Sequence, residues 1–244
     1  MTANEQRPDP LTKLQRSIKK RVYRLFGWKQ LEDARTYVGT TEASGQLQFE
    51  LLRREGMQPG SRVLEIGCGV LHAGVPLMKF LDKGHYAGID PNEWLRQKRM
   101  EDPEIRRLVE DKHGRFLSRD DFDASSLGVQ FDYVLSHSVL SHAAHHQLEQ
   151  FLRNCAKVLA AGGRIVASIR LAEGNAYGSP GTPDGRDSNF AEWQYPGVSF
   201  FRMSTILETA DALGLKAVHK PEYSEFYTAV QAHEYHDWFV YSWK

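Results

Sequence analysis

The run Val63-Leu64-Glu65-Ile66-Gly67-Cys68-Gly69-Val70-Leu71-His72 constrains the fold more than any other stretch of the chain. Val63, Leu64 and Ile66 are the residue types of a strand covered on both faces, which points to a parallel sheet between helices. Gly67 and Gly69 carry no Cβ, so the main chain turns sharply there and a ligand can approach it closely. The residues that follow predict a helix over about residues 72–81, with its first N–H groups facing the turn. A strand, a glycine turn and a helix in succession make a site for a nucleotide-like ligand at the carboxyl edge of an α/β sheet.

The details narrow the ligand. A dinucleotide fingerprint, Gly-x-Gly-x-x-Gly, wants a small residue where His72 stands. Glu65, two residues before the first glycine, would repel a pyrophosphate and suits a ligand that carries an ammonium group. A second strand is expected over residues 85–90, and Asp90 closes it, 25 residues after Glu65. An acid at that place accepts hydrogen bonds from ribose hydroxyls, and its two oxygens suit a vicinal diol.

Residues 65–69, reading Glu-x-Gly-x-Gly, resemble motif I of the class I S-adenosylmethionine (SAM)-dependent methyltransferases, and Tyr86-Ala87-Gly88-Ile89-Asp90 resembles their motif II. Leu71 stands where many members of that family have a third glycine. The resemblance covers about residues 58–244. It implies a Rossmann-like, doubly wound sheet of seven strands, mostly parallel with an antiparallel terminal hairpin, and helices on both faces. It also implies SAM as cofactor and S-adenosylhomocysteine as product. The turn Gly67-Cys68-Gly69 would hold the methionine part of SAM, with Glu65 near its amino group and Asp90-Pro91 at the ribose. Asp121 and Phe122 would meet the adenine, although Asp120 is an equal choice by type, and Ser136 would line the cofactor at a strand tip. Tyr37, in a segment that folds over SAM in many relatives, is a wall of the pocket or a loop aromatic packed on the core.

Catalytic candidates follow the fourth expected strand, residues 131–136. No Asp or Asn followed by Pro-Pro-Tyr, the pattern for exocyclic base nitrogens, is present. Instead the chain reads His137-Ser138-Val139-Leu140-Ser141-His142, as in methyltransferases of small molecules and glycans. Imidazole takes a proton near neutral pH, so His137, at the strand tip, is the first candidate for a base and His142 the second. His145 and His146 fall in a helix expected over residues 145–159 and read as a solvated face. A nitrogen acceptor, on a small amine or a protein, stays open beside the hydroxyl of a small molecule or glycan. So do a silent SAM- or nucleotide-binding module and, disfavoured by Glu65 and His72, a nicotinamide-dependent oxidoreductase.

Further elements are expected over residues 42–54, 92–100, 103–112 and 203–213 as helices, and 115–117, 164–169, 215–218 and 238–243 as strands. Gly162-Gly163 would turn the chain into the fifth strand. The last two strands would follow one another without a crossover helix, as an antiparallel hairpin. Residues 172–200 read as a long loop over the substrate, with Trp193 and Tyr195 either stacking on the acceptor or anchoring the loop. Asp184, Asp187 and Asn189 in it are read as turn chemistry rather than a Mg²⁺ site.

The 31 basic and 31 acidic side chains cancel, which argues against a general nucleic-acid binder. The two cysteines, Cys68 and Cys155, lie far apart without metal spacing, so no metal centre is expected and a reducing cytoplasm is. No apolar run reaches the roughly 18 residues of a membrane span. Residues 1–56 read as an N-terminal extension ahead of a methyltransferase domain over 57–244. Its first ten residues are polar and expected to be disordered. Leu11, Leu14, Ile18, Val22 and Leu25 then line one face of a helix over 11–27, between Lys13, Arg16, Lys19, Lys20, Arg21 and Arg24. Two roles stay open for residues 11–28: packing over the active site, or peripheral contact with an anionic membrane.

Overall fold

The computed structural model describes residues 42–178, 192–193, 197–230 and 236–244. Residues 1–41, and with them Tyr37 and the basic helix, lie outside the described residues, as do Asp184, Asp187, Asn189 and Tyr195.

The described chain builds one seven-stranded sheet. Helix α1 (Glu42–Arg54) leads into β1 (Val63–Ile66), α2 (Gly74–Phe80), β2 (Tyr86–Ile89), α3 (Glu93–Arg99), α4 (Pro103–Lys112) and β3 (Arg115–Leu117). Then come β4 (Phe131–Ser136), α5 (His146–Val158), β5 (Leu159–Ile169), β6 (Ala176–Gly178), β7 (Val198–Phe200), α6 (Met203–Ala212), β8 (Leu215–His219), α7 (Pro221–Val230) and β9 (Asp237–Trp243). The strand order is β3-β2-β1-β4-β5-β9-β8, and β9 alone in this sheet runs antiparallel to its neighbours β5 and β8. The order reverses between β1 and β4, so the crevice for a ligand opens at their carboxyl ends.

The expected doubly wound sheet, its seven strands and its antiparallel terminal pair are therefore present. Four details differ from the sequence reading. Helix α7 separates the last two strands; Pro221 at its first position fixes φ for a helical start. Strand β5 begins at Leu159 and carries Gly162 and Gly163 inside it. The register jumps there from Phe131↔Leu159 to Tyr133↔Arg164, so the glycines form an irregularity rather than the strand's entry turn. Residues 172–200 are not loop throughout, because β6 and β7 pair antiparallel within them. Helix α2 starts at Gly74, later than expected, and Leu71 and Gly69 before it both adopt positive φ.

Two apolar cores lie on the two faces of the sheet. Leu64 and Ile66 of β1 join Phe131, Phe151, Ile206 and Phe239 on one face. Val63 joins Leu51, Leu52, Leu77, Tyr86 and Trp238 on the other, so α1 packs into the core of the sheet domain. The contact of α1 with the glycine turn is close: a Cβ on Gly45 would lie 2.1 Å from the His72 carbonyl oxygen. Alanine is favoured over glycine in a helix interior by about 1 kcal/mol. We nevertheless expect Gly45→Ala to lower stability by about 1–3 kcal/mol, the scale of overpacking, read as a fall in the urea midpoint at unchanged slope. A midpoint equal to or above that of the wild type would show that the helix and the turn can separate freely.

Candidate active site

Register assembles the site. Ile66 of β1 lies level with Ile89 of β2 and with Ser136 of β4. The next residue of each strand, Gly67, Asp90 and His137, therefore emerges on the same edge. The amide N–H groups of Gly67 and Cys68 both donate to the Ile89 carbonyl, at 2.7 and 3.1 Å, which folds the turn back over the tip of β2. Gly67 takes a φ of 78° and Gly69 one of 43°, a region that costs a residue with a Cβ. Leu71, at φ 60°, adopts the same region without being glycine and is fully buried.

Asp90 holds this turn. One carboxylate oxygen accepts from the Gly69 N–H at 2.9 Å and the other from the Asn92 N–H at 2.8 Å. Burial pushes its pKa up, and these two N–H groups pull against that shift. Each oxygen keeps a second lone pair for a ligand hydroxyl. Pro91 beside it is exposed.

Glu65 points into the core face of β1 that also holds Tyr86, and the Tyr86 hydroxyl donates to it at 2.5 Å. Burial raises the Glu65 pKa to about 8; the Tyr86 bond opposes the rise and the Asp90 charge adds to it. Cys68 is buried against Gly88, where a Cβ would come within 2.8 Å of its Sγ, and burial drives its thiol pKa upward. Ser136 is 1% exposed, and its Oγ has no hydrogen-bond partner among the described residues. An orphaned hydroxyl at the tip of β4 is a group left over for a ligand. Together the open turn, the spare lone pairs of Asp90 and this hydroxyl fit an aminoacyl nucleoside such as SAM.

The adenine candidates fare differently. Arg119 grips both oxygens of Asp121, one at 2.8 Å, and holds its carboxyl well below the usual range. Phe122 has a φ of 62° that turns its ring inward, edge-on to Phe151 at 5.6 Å and 7% exposed. Phe122 thus packs in the apolar core of that sheet face. Asp120 is exposed.

Segment 137–145 packs directly on the glycine turn, since a Cβ on Gly67 would sit 2.3 Å from Val139 Cγ2. The His137 ring stacks on Trp238 at 5.5 Å and lies 4.9 Å from that of His236. Nδ1 of His142 lies 2.8 Å from the Gly197 carbonyl oxygen. A carbonyl only accepts, so Nδ1 carries the proton and Nε2 the lone pair. Burial lowers the His142 pKa, the Gly197 bond works against this, and the Arg170 and His137 charges add to it. Trp193, 37% exposed, donates its indole N–H to the His142 carbonyl at 3.2 Å. His145 is not on a solvated face: its ring stacks on Tyr177 at 4.0 Å and its Nε2 donates to the Phe200 carbonyl at 3.0 Å. His146 is exposed, as expected.

Sequence reading missed His236, Trp238 and Arg170. Antiparallel pairing of Ile169 with Asp237 carries the amino end of β9 to the carboxyl end of β5, so residues from the two ends meet. It also missed Tyr86 as the partner of Glu65, although a tyrosine two residues before Gly88 in a fully buried strand was a signal. Among the described residues, no group of three or more His, Cys, Asp or Glu is placed to hold a metal ion. No helix among them is long and apolar enough to cross a membrane.

Residues 64–165 match a family model described as a methyltransferase domain. Over that stretch, which carries the glycine turn, Asp90 and the tip of β4, the chain is similar to a methyltransferase domain. Similar solved structures share its fold at low identity. Magnesium protoporphyrin IX methyltransferase from Synechocystis PCC 6803 with bound SAM superposes with a TM-score of 0.55 at 15% identity, covering 99% of this chain and 100% of that one. The glycopeptide N-methyltransferase MtfA gives 0.60 at 12%, covering 82% and 90%. The cyclase SpnF gives 0.56 at 16%, covering 82% and 81%.

The buried acid gives the chain a pH signature. Glu65 in the folded chain, without cofactor, keeps a proton that the unfolded chain releases at 4.5. The stability this contributes is full below that pH and is lost as pH rises toward about 8. Glu65→Gln keeps an acceptor for Tyr86 and removes the loss. Relative to wild type, it should gain about 2–4 kcal/mol between pH 5 and pH 8 in urea unfolding. A constant difference across that range would mean that Glu65 is ionised in the folded protein.

Proposed function

We propose that the enzyme transfers the methyl group of SAM to a hydroxyl of a small molecule or glycan, with His142 as general base. The observation that carries the reading is the fixed tautomer of His142. Its proton is committed to the Gly197 carbonyl, so the basic Nε2 is the nitrogen left for an acceptor. Burial keeps the ring neutral near pH 7, the state a base requires. His137, stacked between Trp238 and His236, is the second candidate. The family is consistent with a small acceptor, and the magnesium protoporphyrin and glycopeptide enzymes share its fold.

In this reading the main chain of Gly67, Cys68 and Gly69 faces the methionine part of the cofactor. Glu65 lies toward its amino group; an ammonium brought there would favour the ionised carboxylate. Asp90 receives the ribose hydroxyls and Ser136 offers its hydroxyl. The sulfonium supplies an electrophilic methyl carbon, and the protein holds the acceptor oxygen in line with it. His142 takes the acceptor proton as the new oxygen–carbon bond forms. Trp193, beside His142, is the described aromatic for the acceptor's apolar face.

Two measurements test this. Asp90→Ala should weaken SAM binding in calorimetry by about 1.5–3 kcal/mol, the scale of hydrogen bonds to a charged group; unchanged affinity would remove Asp90 from the cofactor site. A labelled-SAM screen of alcohols, glycans and amines supplies the acceptor. With it, His142→Ala should lower turnover by about 10²–10⁴-fold with little change in SAM affinity. A near-normal rate in that variant with His137→Ala inactive would move the base to His137. Normal rates in both, with an amine as acceptor, would replace the hydroxyl reading by N-methylation.

A further inference from the structure

We infer that Tyr177 is a positioning residue for His142: by clamping the short β6–β7 ribbon to segment 142–145, it sets which imidazole nitrogen carries the proton. The inference rests on His142 being the base, and it concerns a residue that touches neither cofactor nor acceptor.

The ribbon and the segment are joined at four places by side chains. The Tyr177 hydroxyl of β6 accepts the His145 main-chain N–H at 2.9 Å, and its ring lies flat on the His145 ring at 4.0 Å with 13° between the planes. His145 Nε2 donates to the carbonyl of Phe200 in β7. Ser199 Oγ donates to the Ala143 carbonyl. His142 Nδ1 donates to the carbonyl of Gly197, the residue before β7. Because Ala176 pairs with Phe200 and Gly178 with Val198, Tyr177 on β6 and the Gly197 carbonyl next to β7 belong to one two-stranded ladder. That ladder is not part of the large sheet. It is tied on through Leu171↔Phe201, through the Ala172 N–H to the Phe201 carbonyl at 3.1 Å, and through these side chains.

A three-residue ladder holds itself weakly. Its place over residues 142–145 therefore depends on what anchors it, and Tyr177 supplies both a stacked ring and a hydrogen bond. The consequence is chemical. Free imidazole distributes its proton between two nitrogens, and only the Gly197 carbonyl commits it to Nδ1 here. The titratable and charged groups around His142 are His137 on its own segment, His236 before β9 and Arg170 after β5, all basic. Among the described residues none of these neighbours is an acid that would fix the tautomer in the ribbon's stead. Moving the ribbon away also readmits water, which removes the largest cause of the low His142 pKa.

Nitrogen-15 NMR of the histidine rings reads tautomer and titration without any acceptor, with His142 assigned by its loss in His142→Gln. In the wild type the His142 ring should be almost wholly the Nδ1–H form and titrate below the ordinary value of 6.5. In Tyr177→Ala the Nδ1–H form should fall to a minority and the midpoint should move up toward 6.5. Tyr177→Phe, which keeps the stacked ring, should retain most of the wild-type signature. Should Tyr177→Ala fail to fold, Ser199→Ala removes one bond of the same clamp and should shift tautomer and midpoint in the same direction. A wild-type tautomer and midpoint in folded Tyr177→Ala or Ser199→Ala would overturn the inference. Turnover separates it from the reading on which it rests. An inactive His142→Ala beside unchanged Tyr177→Ala spectra sinks this inference alone, and an active His142→Ala sinks the base.

Discussion

Asp90 stands at the end of β2, yet one of its oxygens holds the N–H of Gly69 on the loop after β1 and the other the N–H of Asn92 ahead of α3. A single carboxylate thus spans two strand tips. A main-chain N–H buried without an acceptor costs about 1–3 kcal/mol, so the turn is far less favourable without this partner. The remaining parts of the site lean on that turn. Val139 packs where Gly67 lacks a side chain, and His72 packs where Gly45 lacks one. The glycines are thus contact surfaces as well as hinges. The turn is pressed from α1 on one side and from the segment after β4 on the other.

The same arrangement explains how a neutral chain makes a polarised site. Acids gather on the β1–β2 side, where burial first, and then the Asp90 charge, raise the proton affinity of Glu65, and burial with both carboxylates raises that of the Cys68 thiol. Bases gather on the β4–β5–β9 side, where burial first, and then the charges of His137 and Arg170, depress the proton affinity of His142 and His236. An ammonium-bearing cofactor suits the first side. A proton-accepting imidazole suits the second, since burial, helped by neighbouring positive charge, lowers the His142 pKa. The reversal of strand order between β1 and β4 puts the boundary between the two at the crevice.

Much of this was legible in the sequence because it depends on short-range chemistry. The buried strands β1, β2 and β4 are continuous apolar runs, and the glycine turn and the acid after β2 follow at fixed places. Helix α7 has a local signal in Pro221, Glu222 and the spacing of Tyr223 and Phe226, but the two flanking strands by themselves suggest a hairpin. Other features had no local signal. Phe122 faces the core because its backbone takes a left-handed conformation that nothing in Asp121-Phe122-Asp123 announces. Strands β6 and β7 are three residues each, too short for a period of two to stand out. His236 reaches His137 only because β9 runs antiparallel, a relation between residues about a hundred positions apart.

The fold by itself leaves the chemistry open, since a cyclase and methyltransferases share it. What distinguishes one such protein from another is which side chains stand at the carboxyl ends of β4 and β5 and the amino end of β9, and in which protonation state they are held. In this chain the strand tips of β1 and β2 are occupied by groups suited to a cofactor. Imidazoles stand at the tip of β4, in the segment after it and before β9, and burial, with neighbouring basic groups, lowers the pKa of His142 and His236 among them. A neutral imidazole whose tautomer is fixed has one use that a solvated histidine performs poorly: it presents its lone pair in a constant direction. Under the base role proposed for His142, that is what removing a proton from an oxygen asks for while its lone pair points at a methyl carbon, and on that reading the β6–β7 ribbon next to the Gly197 carbonyl would belong to the site as much as the glycine turn does.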